Sequence, residues 1–246
     1  MQKIYYLLAI TLSLTVLRCS YPTALQKTAD KTEVGVVNKT DIGVFVKTTL
    51  ENFNRLNLID DDAVASYDKI AAGFARFPEE SLECKSVSDI AGMILTDFAY
   101  GEINIDDGTY ISSQDKIYVF DVEIFPTNRM YARFIDGIET IITDDVQFAN
   151  VTEDTSGVDW KSGTGEWILR FECNGKPYEF AAEMNNDWFD TDIIGFMNAV
   201  LKDQGIEKRL LVTDDGMQEC ILFYNDNKWA GEYERIMGYA LECPMY

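Results

Sequence analysis

Residues 166–184 have the sequence EWILRFECNGKPYEFAAEM and are the strongest indication of how this chain folds. Apolar and polar residues alternate on both sides of Asn174-Gly175, which is typical of two strands that each bury one face. An Asn-Gly pair favours a type I′ turn, because both central residues then need a positive φ angle. The predicted inner face consists of Trp167, Leu169, Phe171, Cys173, Tyr178, Phe180, Ala182 and Met184. We therefore expect an antiparallel hairpin with one face in the core and the other in water.

The sequence after this hairpin predicts two helices and two strands. Residues 190–204 place apolar side chains at helical spacing. Apolar runs at residues 209–213 and 219–224 predict strands that an Asp-Asp-Gly turn joins. A last helix should begin after Asp226 or Asn227, since both residue types are common N-caps.

The sequence before the hairpin is mainly helical. Apolar residues recur at helical spacing in three segments between residues 41 and 101, and the second of these follows three consecutive aspartates. The third segment starts with Ser86 and Asp89, which fit a capping box. Residues 117–125 alternate like a strand, and residues 130–142 return to helical spacing.

These elements interleave without a regular βαβ rhythm, which favours an α+β fold. We expect N-terminal helices followed by a mainly antiparallel sheet with interleaved helices. The chain divides into a signal peptide (1–18), a flexible tether (19–40), a helical region (41–101) and an α+β domain (115–246). The last two should form one compact body, because 246 residues suit one such body better than two large domains.

Net charge is the exceptional property of this chain. Lysine and arginine number 21 against 42 aspartate and glutamate residues, which gives a formal net charge of -21 at pH 7. A field of that sign repels nucleic-acid phosphates and anionic lipid headgroups, so it argues against a protein that binds nucleic acid or the surface of a bilayer. It attracts basic proteins and other cations. The alternative is that the acidity only keeps the protein soluble and apart from its copies.

The lack of histidine excludes several catalytic mechanisms. Ser-His-Asp and Cys-His nucleophilic machinery and nearly all catalytic zinc sites need an imidazole, which this sequence does not contain. The sequence also has no glycine-rich phosphate loop, nucleophile elbow or dinucleotide fingerprint. We therefore expect no cofactor and no metal site, and any catalysis would depend on carboxylates, lysine, tyrosine or cysteine.

The N-terminus has the pattern of an export signal. Residues 4–17 form an uncharged run that has the length of a signal-peptide core and is too short to span a bilayer. The sequence VLRCS at residues 16–20 resembles the lipobox of bacterial lipoproteins, with Arg18 where that family has a small residue. The resemblance implies that Cys19 becomes a lipid-modified N-terminus and is the only contact with the membrane. Signal cleavage after Ala24 is the alternative.

The cysteines fit a lipid-modified N-terminus. The sequence has five, and modification of Cys19 leaves an even number: Cys84, Cys173, Cys220 and Cys243. These allow two disulfides in any of three pairings, and separate buried thiols are the alternative. A CxxC pair is missing from the sequence, which argues against a thioredoxin-like redox site.

The densest mixture of acidic and aromatic residues lies between the hairpin and the helix that follows it. It contains Asp187, Trp188, Asp190 and Asp192. Sugar-binding sites combine an aromatic platform with carboxylates, so these four are candidate binding residues, whereas no catalytic residue is assigned. A hydrophobic staple with an aspartate cap explains the same residues structurally. The other acidic clusters lie where a helix start or a turn favours aspartate.

Together these features favour an exported, non-catalytic binding protein, lipid-anchored in the cell envelope or secreted, that neutralises or docks a basic protein or another cationic ligand. Acidic toxin-neutralising proteins offer a physical analogy, because opposite charges steer association. One alternative is an extracellular hydrolase that uses paired carboxylates on carbohydrate. Another is a structural module of a surface assembly, which an exposed apolar patch or a free sheet edge would favour.

Overall fold

The protein is described here by a computed structural model. It describes residues 42–77, 85–104, 109–123, 129–142 and 144–246. All of these residues belong to a single compact unit. The predicted signal peptide and tether lie outside the described residues, as do Cys19 and Cys84. None of the helices in the described ranges is long and apolar enough to cross a membrane.

Helices lie before, between and after the strands of the described chain. In chain order they are α1 (Ile42–Arg55), α2 (Asp61–Ala65), α3 (Tyr67–Phe74), α4 (Val87–Ala99), α5 (Met130–Ile142), α6 (Asp192–Asp203) and α7 (Asn227–Met237).

The strands form a short ribbon and two larger sheets. They are β1 (Glu102–Ile103), β2 (Tyr110–Ile111), β3 (Ile117–Asp121), β4 (Phe148–Asp159), β5 (Thr164–Cys173), β6 (Lys176–Asn185), β7 (Arg209–Asp214) and β8 (Glu219–Asn225). β1 pairs with β2, and the two sheets have the strand orders β3-β8-β7 and β4-β5-β6. Every pair of named strands is antiparallel, which confirms the predicted α+β fold.

Sheet β3-β8-β7 is buried on both faces. On β8, Ile221 and Phe223 belong to a core cluster with residues of α1, α4 and α7, whereas Cys220 and Leu222 belong to a second cluster. The second cluster also contains residues of α5, α6 and the inner face of β4-β5-β6. Because successive strand residues point to opposite faces, this sheet separates two hydrophobic cores.

The hairpin predicted from the sequence is confirmed. β5 and β6 pair in unbroken register from Thr164 opposite Asn185 to Cys173 opposite Lys176. The turn residues Asn174 and Gly175 have φ angles of 51° and 78°, as a type I′ turn requires. The predicted inner face is buried apart from the half-buried Tyr178, and the intervening residues are exposed or half-buried.

Capping signals at the helix starts are also confirmed. The Ser86 hydroxyl accepts a hydrogen bond from the Asp89 N–H at 3.1 Å, and the Asp89 carboxylate accepts one from the Ser86 N–H at 2.8 Å. Asp60 caps α2 and Asp226 caps α7, each by accepting a backbone N–H at 2.8 Å. These interactions depend on neighbours in sequence, which is why the sequence alone predicts them.

Two predicted elements differ in extent. The helix expected over residues 63–77 is divided into α2 and α3 at Ser66, whose hydroxyl donates to the Asp62 carbonyl at 3.1 Å. Such a bond competes with the helical pattern and often bends the helix. The strand expected over residues 117–125 ends at Asp121, and it is buried on both faces instead of one.

β4 is a long strand that the sequence analysis did not predict. Its pairing with β5 shifts register between Ala149 and Thr152 and again between Asp154 and Gly157. These irregularities interrupt the alternation of buried and exposed residues, and bulges of this kind are typical of edge strands. The usual strand signal is therefore weak in this part of the sequence.

Candidate functional site

The segment predicted as a binding site, residues 187–192, connects β6 to α6 through Asp190. The Asp190 carboxylate accepts backbone N–H groups of Glu183 at 2.8 Å and of Asp192 at 3.0 Å. Its own N–H donates to the Tyr131 hydroxyl at 3.1 Å. Burial raises the pKa of Asp190, and the two hydrogen bonds to its carboxylate oppose that effect. The Asp190 carboxylate thus links the start of α6 to the edge strand β6 through hydrogen bonds.

The other residues of this segment do not form an open platform. Phe189 is buried, and its ring centroid lies 4.7 Å from that of Tyr131. Trp188 is half-buried and packs against the core, Asp187 is half-buried, and Asp192 is exposed in the first turn of α6. The four predicted residues lie close together, but their geometry fits a structural role better than a sugar-binding role, because Asp190 holds the start of α6 and Phe189 packs in the core.

The remaining acidic clusters in the described ranges have structural partners. Asp145 accepts hydrogen bonds from Lys208 and Tyr224, both at 2.8 Å, and these bonds lower its pKa. Asp214 accepts the Gly216 N–H at 2.7 Å within the turn between β7 and β8. Nowhere among the described residues do three or more acidic or cysteine side chains group in a way that could hold a metal ion.

One surface of the molecule concentrates negative charge. The outer face of sheet β4-β5-β6, which we call the acidic face, carries the carboxylates of Asp154, Glu166, Glu172, Glu179 and Glu183. It exists because β5 and β6 alternate apolar and charged residues, so that burying one face exposes the acids on the other. The field of this face is therefore negative and open to solvent.

The charges of the acidic face are only partly compensated. Arg170 forms ion pairs with Glu179 at 2.6 Å and with Asp154 at 3.7 Å. Glu166 lies directly opposite Glu183 on the neighbouring strand, and neither has an ion pair within the described part of the chain. Like charges directly opposite each other destabilise a sheet. Binding of a cationic group from another molecule would relieve the repulsion between Glu166 and Glu183.

A second surface feature is a small aromatic pocket between the β1-β2 ribbon and β3, which we call the β3 groove. Its volume is about 70 Å³. Its lining includes Tyr100, Tyr110, Tyr118, Phe120, Phe134, Asp121 and Arg133. The ring centroids of Tyr110 and Tyr118 are 4.9 Å apart. A Cβ atom on Gly101 would lie 2.3 Å from the Tyr110 ring, so the glycine permits this close packing.

Two carboxyl groups meet on the face of sheet β3-β8-β7 that lies opposite the rings of Tyr118 and Phe120. Asp121 on β3 lies directly opposite Glu219 on β8, so both side chains project from the same face of the sheet. Burial, together with the carboxylates of Asp121 and Asp215, raises the pKa of Glu219 to about 8. The Oε2 atom of Glu219 is buried and has no hydrogen-bond partner among the described residues. The pair can hold a proton at neutral pH.

The larger pocket, of about 250 Å³, lies at the start of α5 and is lined by Arg129 and Glu153 among others. The Glu153 carboxylate accepts the Arg129 N–H at 2.9 Å and the Ala132 N–H at 2.6 Å. A helix N-terminus attracts anions, and here a side chain of β4 already fills that place. This pocket is therefore best explained as a capping arrangement.

The described cysteines are free thiols. Cys173 and Cys220 are buried, and Cys243 is exposed. Burial raises the pKa of Cys173 to about 11 and that of Cys220 well above its ordinary value, so both thiols are unreactive at neutral pH. The structure pairs none of these three cysteines in a disulfide, and Cys84 lies outside the described residues.

The sequence analysis missed Asp121, Glu219 and the tyrosines of the β3 groove. Asp121 lies within the predicted strand 117–125 and is the last residue of β3, and Glu219 is the first residue of the predicted strand 219–224. An acid at the end of an apolar strand is the available signal. It becomes informative only when the pairing of β3 with β8 is known, because these residues are far apart in the sequence.

The structure thus offers two candidate sites, the acidic face and the carboxyl pair of Asp121 and Glu219. In comparisons with known proteins, no protein-family model, no curated protein and no solved structure matches this chain.

Proposed function

We propose that this chain is an exported, non-catalytic binding protein of the cell envelope that receives a basic protein on its acidic face. The observation that supports this proposal is the pair Glu166 and Glu183, which lie opposite each other without an ion pair in the described part of the chain. A lysine or arginine from a partner placed between them replaces a repulsive contact with an attractive one.

The net charge of the chain supports the same proposal. A protein of charge -21 accelerates the encounter with a positively charged partner and repels its own copies. Because the steering field is screened by salt, binding should weaken as ionic strength rises.

The cellular location is proposed from the sequence of the N-terminus. Residues 4–17 and the lipobox-like VLRCS sequence support export with a lipid anchor at Cys19. The test is the intact mass of protein purified from the envelope of the native host. We expect a chain that begins at Cys19 and carries the added mass of lipid. A chain that still begins at Met1, or that is found in the cell interior, would contradict export.

The binding proposal is tested with two double variants of equal net charge. In the first, Glu166→Gln and Glu183→Gln neutralise the centre of the acidic face. In the matched control, Glu51→Gln and Glu234→Gln neutralise exposed acids on α1 and α7. Affinity capture from envelope extract is compared at about 50 mM and about 500 mM salt.

We expect the wild type and the control to retain the same basic protein at low salt and to release it at high salt. The acidic-face variant should retain at least about fivefold less, because the two groups that face the partner's cation are neutral. Equal retention by both double variants, or retention that salt does not weaken, would refute the acidic face as the binding surface.

A second candidate function is a hydrolase that uses paired carboxyl groups, favoured by Asp121 lying opposite Glu219. With its pKa near 8, Glu219 is mainly protonated at neutral pH, as a general acid must be, beside a second carboxyl group. The test is release of reducing sugar from envelope polysaccharides. Hydrolysis that is lost in Glu219→Gln supports this candidate, and no hydrolysis by the wild type removes it.

A further inference from the structure

β6 has one long side that faces away from its sheet. It is the last strand in the order β4-β5-β6 and pairs with β5 alone among the named strands. Cys173 and Lys176 close the hairpin turn as opposite residues, and residues in that position exchange backbone hydrogen bonds. Every second residue from Lys176 therefore bonds to β5. The residues between them direct their backbone groups away from the sheet: Pro177, Glu179, Ala181 and Glu183.

A hydrogen bond at the end of β6 supports this assignment of directions. The Glu183 N–H donates to the Asp190 carboxylate at 2.8 Å, so it points away from β5. Glu179 and Ala181 follow the same alternation and are exposed, and their N–H groups have no hydrogen-bond acceptor among the residues that the structure describes. We call residues 177–181 the β6 edge. Its backbone donors and carbonyl acceptors are open to another chain.

The other sheet edges are interrupted or covered. β4 shifts register against β5 in two places. At the edge of β7, Val212 exchanges backbone hydrogen bonds of 2.8 Å and 2.9 Å with Glu242. At the edge of β3, Val119 forms a parallel bridge with Tyr100. Bulges and covering segments protect a strand edge from pairing with another chain. Since β6 keeps an unbroken register with β5, the β6 edge suits an added strand best among the edges of the described sheets.

Acidic side chains lie at one end of the β6 edge. Glu183 is exposed on the acidic face, and Asp187, Asp190 and Asp192 follow in the connection to α6. None of these residues forms an ion pair within the described ranges. Burial, together with the carboxylates of Asp192 and Glu183, raises the pKa of Asp190, so negative charges lie close together here. A cationic side chain at this end would meet uncompensated carboxylates.

The middle of the β6 edge is less polar. Ala181 lies opposite the half-buried Ile168 on β5. Side chains directly opposite each other on one face of a sheet pack together, so a residue paired with Ala181 would extend this row. A β-branched side chain suits such a position. Glu179 already pairs with Arg170 at 2.6 Å, so it selects less strongly for a cation than Glu183 does.

We propose that the β6 edge binds an extended segment of a basic protein as an added antiparallel strand, with a β-branched residue opposite Ala181 and a lysine or arginine opposite Glu183. Glu179 and Ala181 each exchange backbone hydrogen bonds with this strand. Because the two strands run in opposite directions, the cation comes two residues before the β-branched residue in the partner. The inference rests on the proposed function, since it describes how the acidic face holds its basic partner.

Charge favours a basic partner over a second copy of this chain. Two copies of charge -21 repel each other. Antiparallel pairing of two β6 edges centred on Ala181 would also place Glu179 of one copy opposite Glu183 of the other. Like charges directly opposite each other destabilise a sheet. A basic segment avoids both repulsions and uses the same backbone groups.

The test is a titration of the full chain, isotopically labelled for amide NMR, with the capped peptide Lys-Thr-Val-Thr-Thr. We expect the peptide to shift the amide signals of Glu179 and Ala181 and to saturate with a dissociation constant on the order of 1 mM. At about 10 mM peptide, hydrogen exchange of these N–H groups should slow about tenfold, because the added strand holds them in hydrogen bonds. The control Glu-Thr-Val-Thr-Thr should bind at least about threefold more weakly, because it places an acid opposite Glu183.

N-methylated peptides separate strand addition from attraction between charges. Methylation of the valine nitrogen removes the N–H that should donate to the Ala181 carbonyl, so binding should weaken at least about fivefold. Methylation of the nitrogen of the threonine before it removes an N–H that should point to solvent, so binding should stay the same. Equal binding of the two methylated forms, equal binding of the lysine and glutamate peptides, or no saturable binding would refute the added strand.

Variants of Ala181 test the same contact from the side of the protein. Ala181→Pro removes an outward N–H without removing a hydrogen bond to β5, and edge strands tolerate proline in such positions. It should abolish binding of the lysine peptide. The control Ala181→Ser keeps the N–H and should bind as the wild type does. Equal binding by both variants would contradict the proposal, and the methylated peptides decide the question in the unaltered protein if Ala181→Pro does not fold.

The two proposals fail separately. If capture of the basic protein depends on Glu166 and Glu183 but is equal for Ala181→Pro and Ala181→Ser, the added strand is wrong and the acidic face stands. If the lysine peptide protects Glu179 and Ala181 from exchange but no basic protein is captured, the proposed function is wrong and the β6 edge stands as a peptide site. A dimer that protects these N–H groups without any peptide would overturn the basic segment as occupant.

Discussion

Replacing Glu219 with glutamine should stabilise the protein at alkaline pH. Burial and the nearby carboxylates of Asp121 and Asp215 raise the pKa of Glu219 from 4.5 to about 8. The folded protein therefore keeps a proton that the unfolded chain releases above about pH 4.5. The contribution of Glu219 to the free energy of unfolding is therefore most favourable below about pH 4.5 and decreases as the pH rises to about 8. Above that pH it stays constant.

The size of the effect follows from the difference between the two pKa values. A rise from 4.5 to about 8 corresponds to an upper limit of about 5 kcal/mol, since each pKa unit equals about 1.4 kcal/mol. Glu219 is partly exposed, and solvent screening reduces the effect, so we expect about 2 kcal/mol. Glutamine has the same shape and does not ionise. Glu219→Gln should therefore be about 2 kcal/mol more stable than the wild type at pH 9 and nearly equal to it at pH 5.

The assay is urea unfolding of the wild type, Glu219→Gln and the control Glu234→Gln at about pH 5, 7 and 9. Glu234 is an exposed acid on α7, and its replacement makes the same change in net charge as Glu219→Gln. If the wild type and Glu219→Gln lose stability in parallel between pH 5 and pH 9, Glu219 does not carry a buried proton. The reasoning about the carboxyl pair would then be refuted.

Three further predictions concern packing and hydrogen bonding, and each is measured by chemical unfolding. Glu153→Ala should lower the free energy of unfolding by about 2 kcal/mol, because two backbone N–H groups at the start of α5 lose their acceptor. The control Asp154→Asn, on the opposite face of β4, should have almost no effect. Equal losses of stability in the two variants would contradict the cap. Asn198→Ala should lower the free energy of unfolding by about 3 kcal/mol and expose the C-terminus to proteolysis. The reason is that this fully buried amide forms hydrogen bonds with both β7 and the C-terminal segment. Unchanged stability would contradict that role. Gly92→Ala should destabilise the protein by at least about 2 kcal/mol, because the added Cβ would lie 2.1 Å from a backbone oxygen at the end of β7. Gly231→Ala has open space in α7 and should stabilise the protein by about 0.5–1 kcal/mol. The opposite order of stability would refute the close packing at Gly92.

Most helices and the central hairpin were predictable because their signals are local. The Asn174-Gly175 turn fixes the register of β5 and β6, and Ser86 with Asp89 fixes the start of α4. Each of these interactions joins residues close in sequence, so the residue types and their spacing contain the necessary information. The division of α2 from α3 at Ser66 is a smaller local effect that apolar spacing alone does not reveal.

β4 was not predictable in this way because its conformation depends on distant partners. Its register shifts are defined only against β5, and Glu153 is explained only by the position of α5. A strand with interrupted alternation lacks the period-two pattern on which prediction from sequence depends. Its assignment therefore needed the assembled sheet.

The candidate sites also differ in how much of them the local sequence pattern predicts. The acids of β5 and β6 could be placed on one exposed face from the sequence, since alternation within a hairpin determines which residues share a face. The segment with Asp187, Trp188, Asp190 and Asp192 was correctly located between β6 and α6, but its binding role remains a prediction. The structure shows instead how Asp190 and Phe189 join the helix to the sheet.

The amino-acid sequence is sufficient to establish the excess of negative charge, the lack of imidazole chemistry, the hairpin and the helix caps. All of these depend on composition or on residues a few positions apart. The pairing of Asp121 with Glu219, in contrast, becomes visible only in the folded protein. The physical reason is that chain segments almost one hundred positions apart come together there through the pairing of β3 with β8, and pairing partners at such distances are set by packing of the whole core.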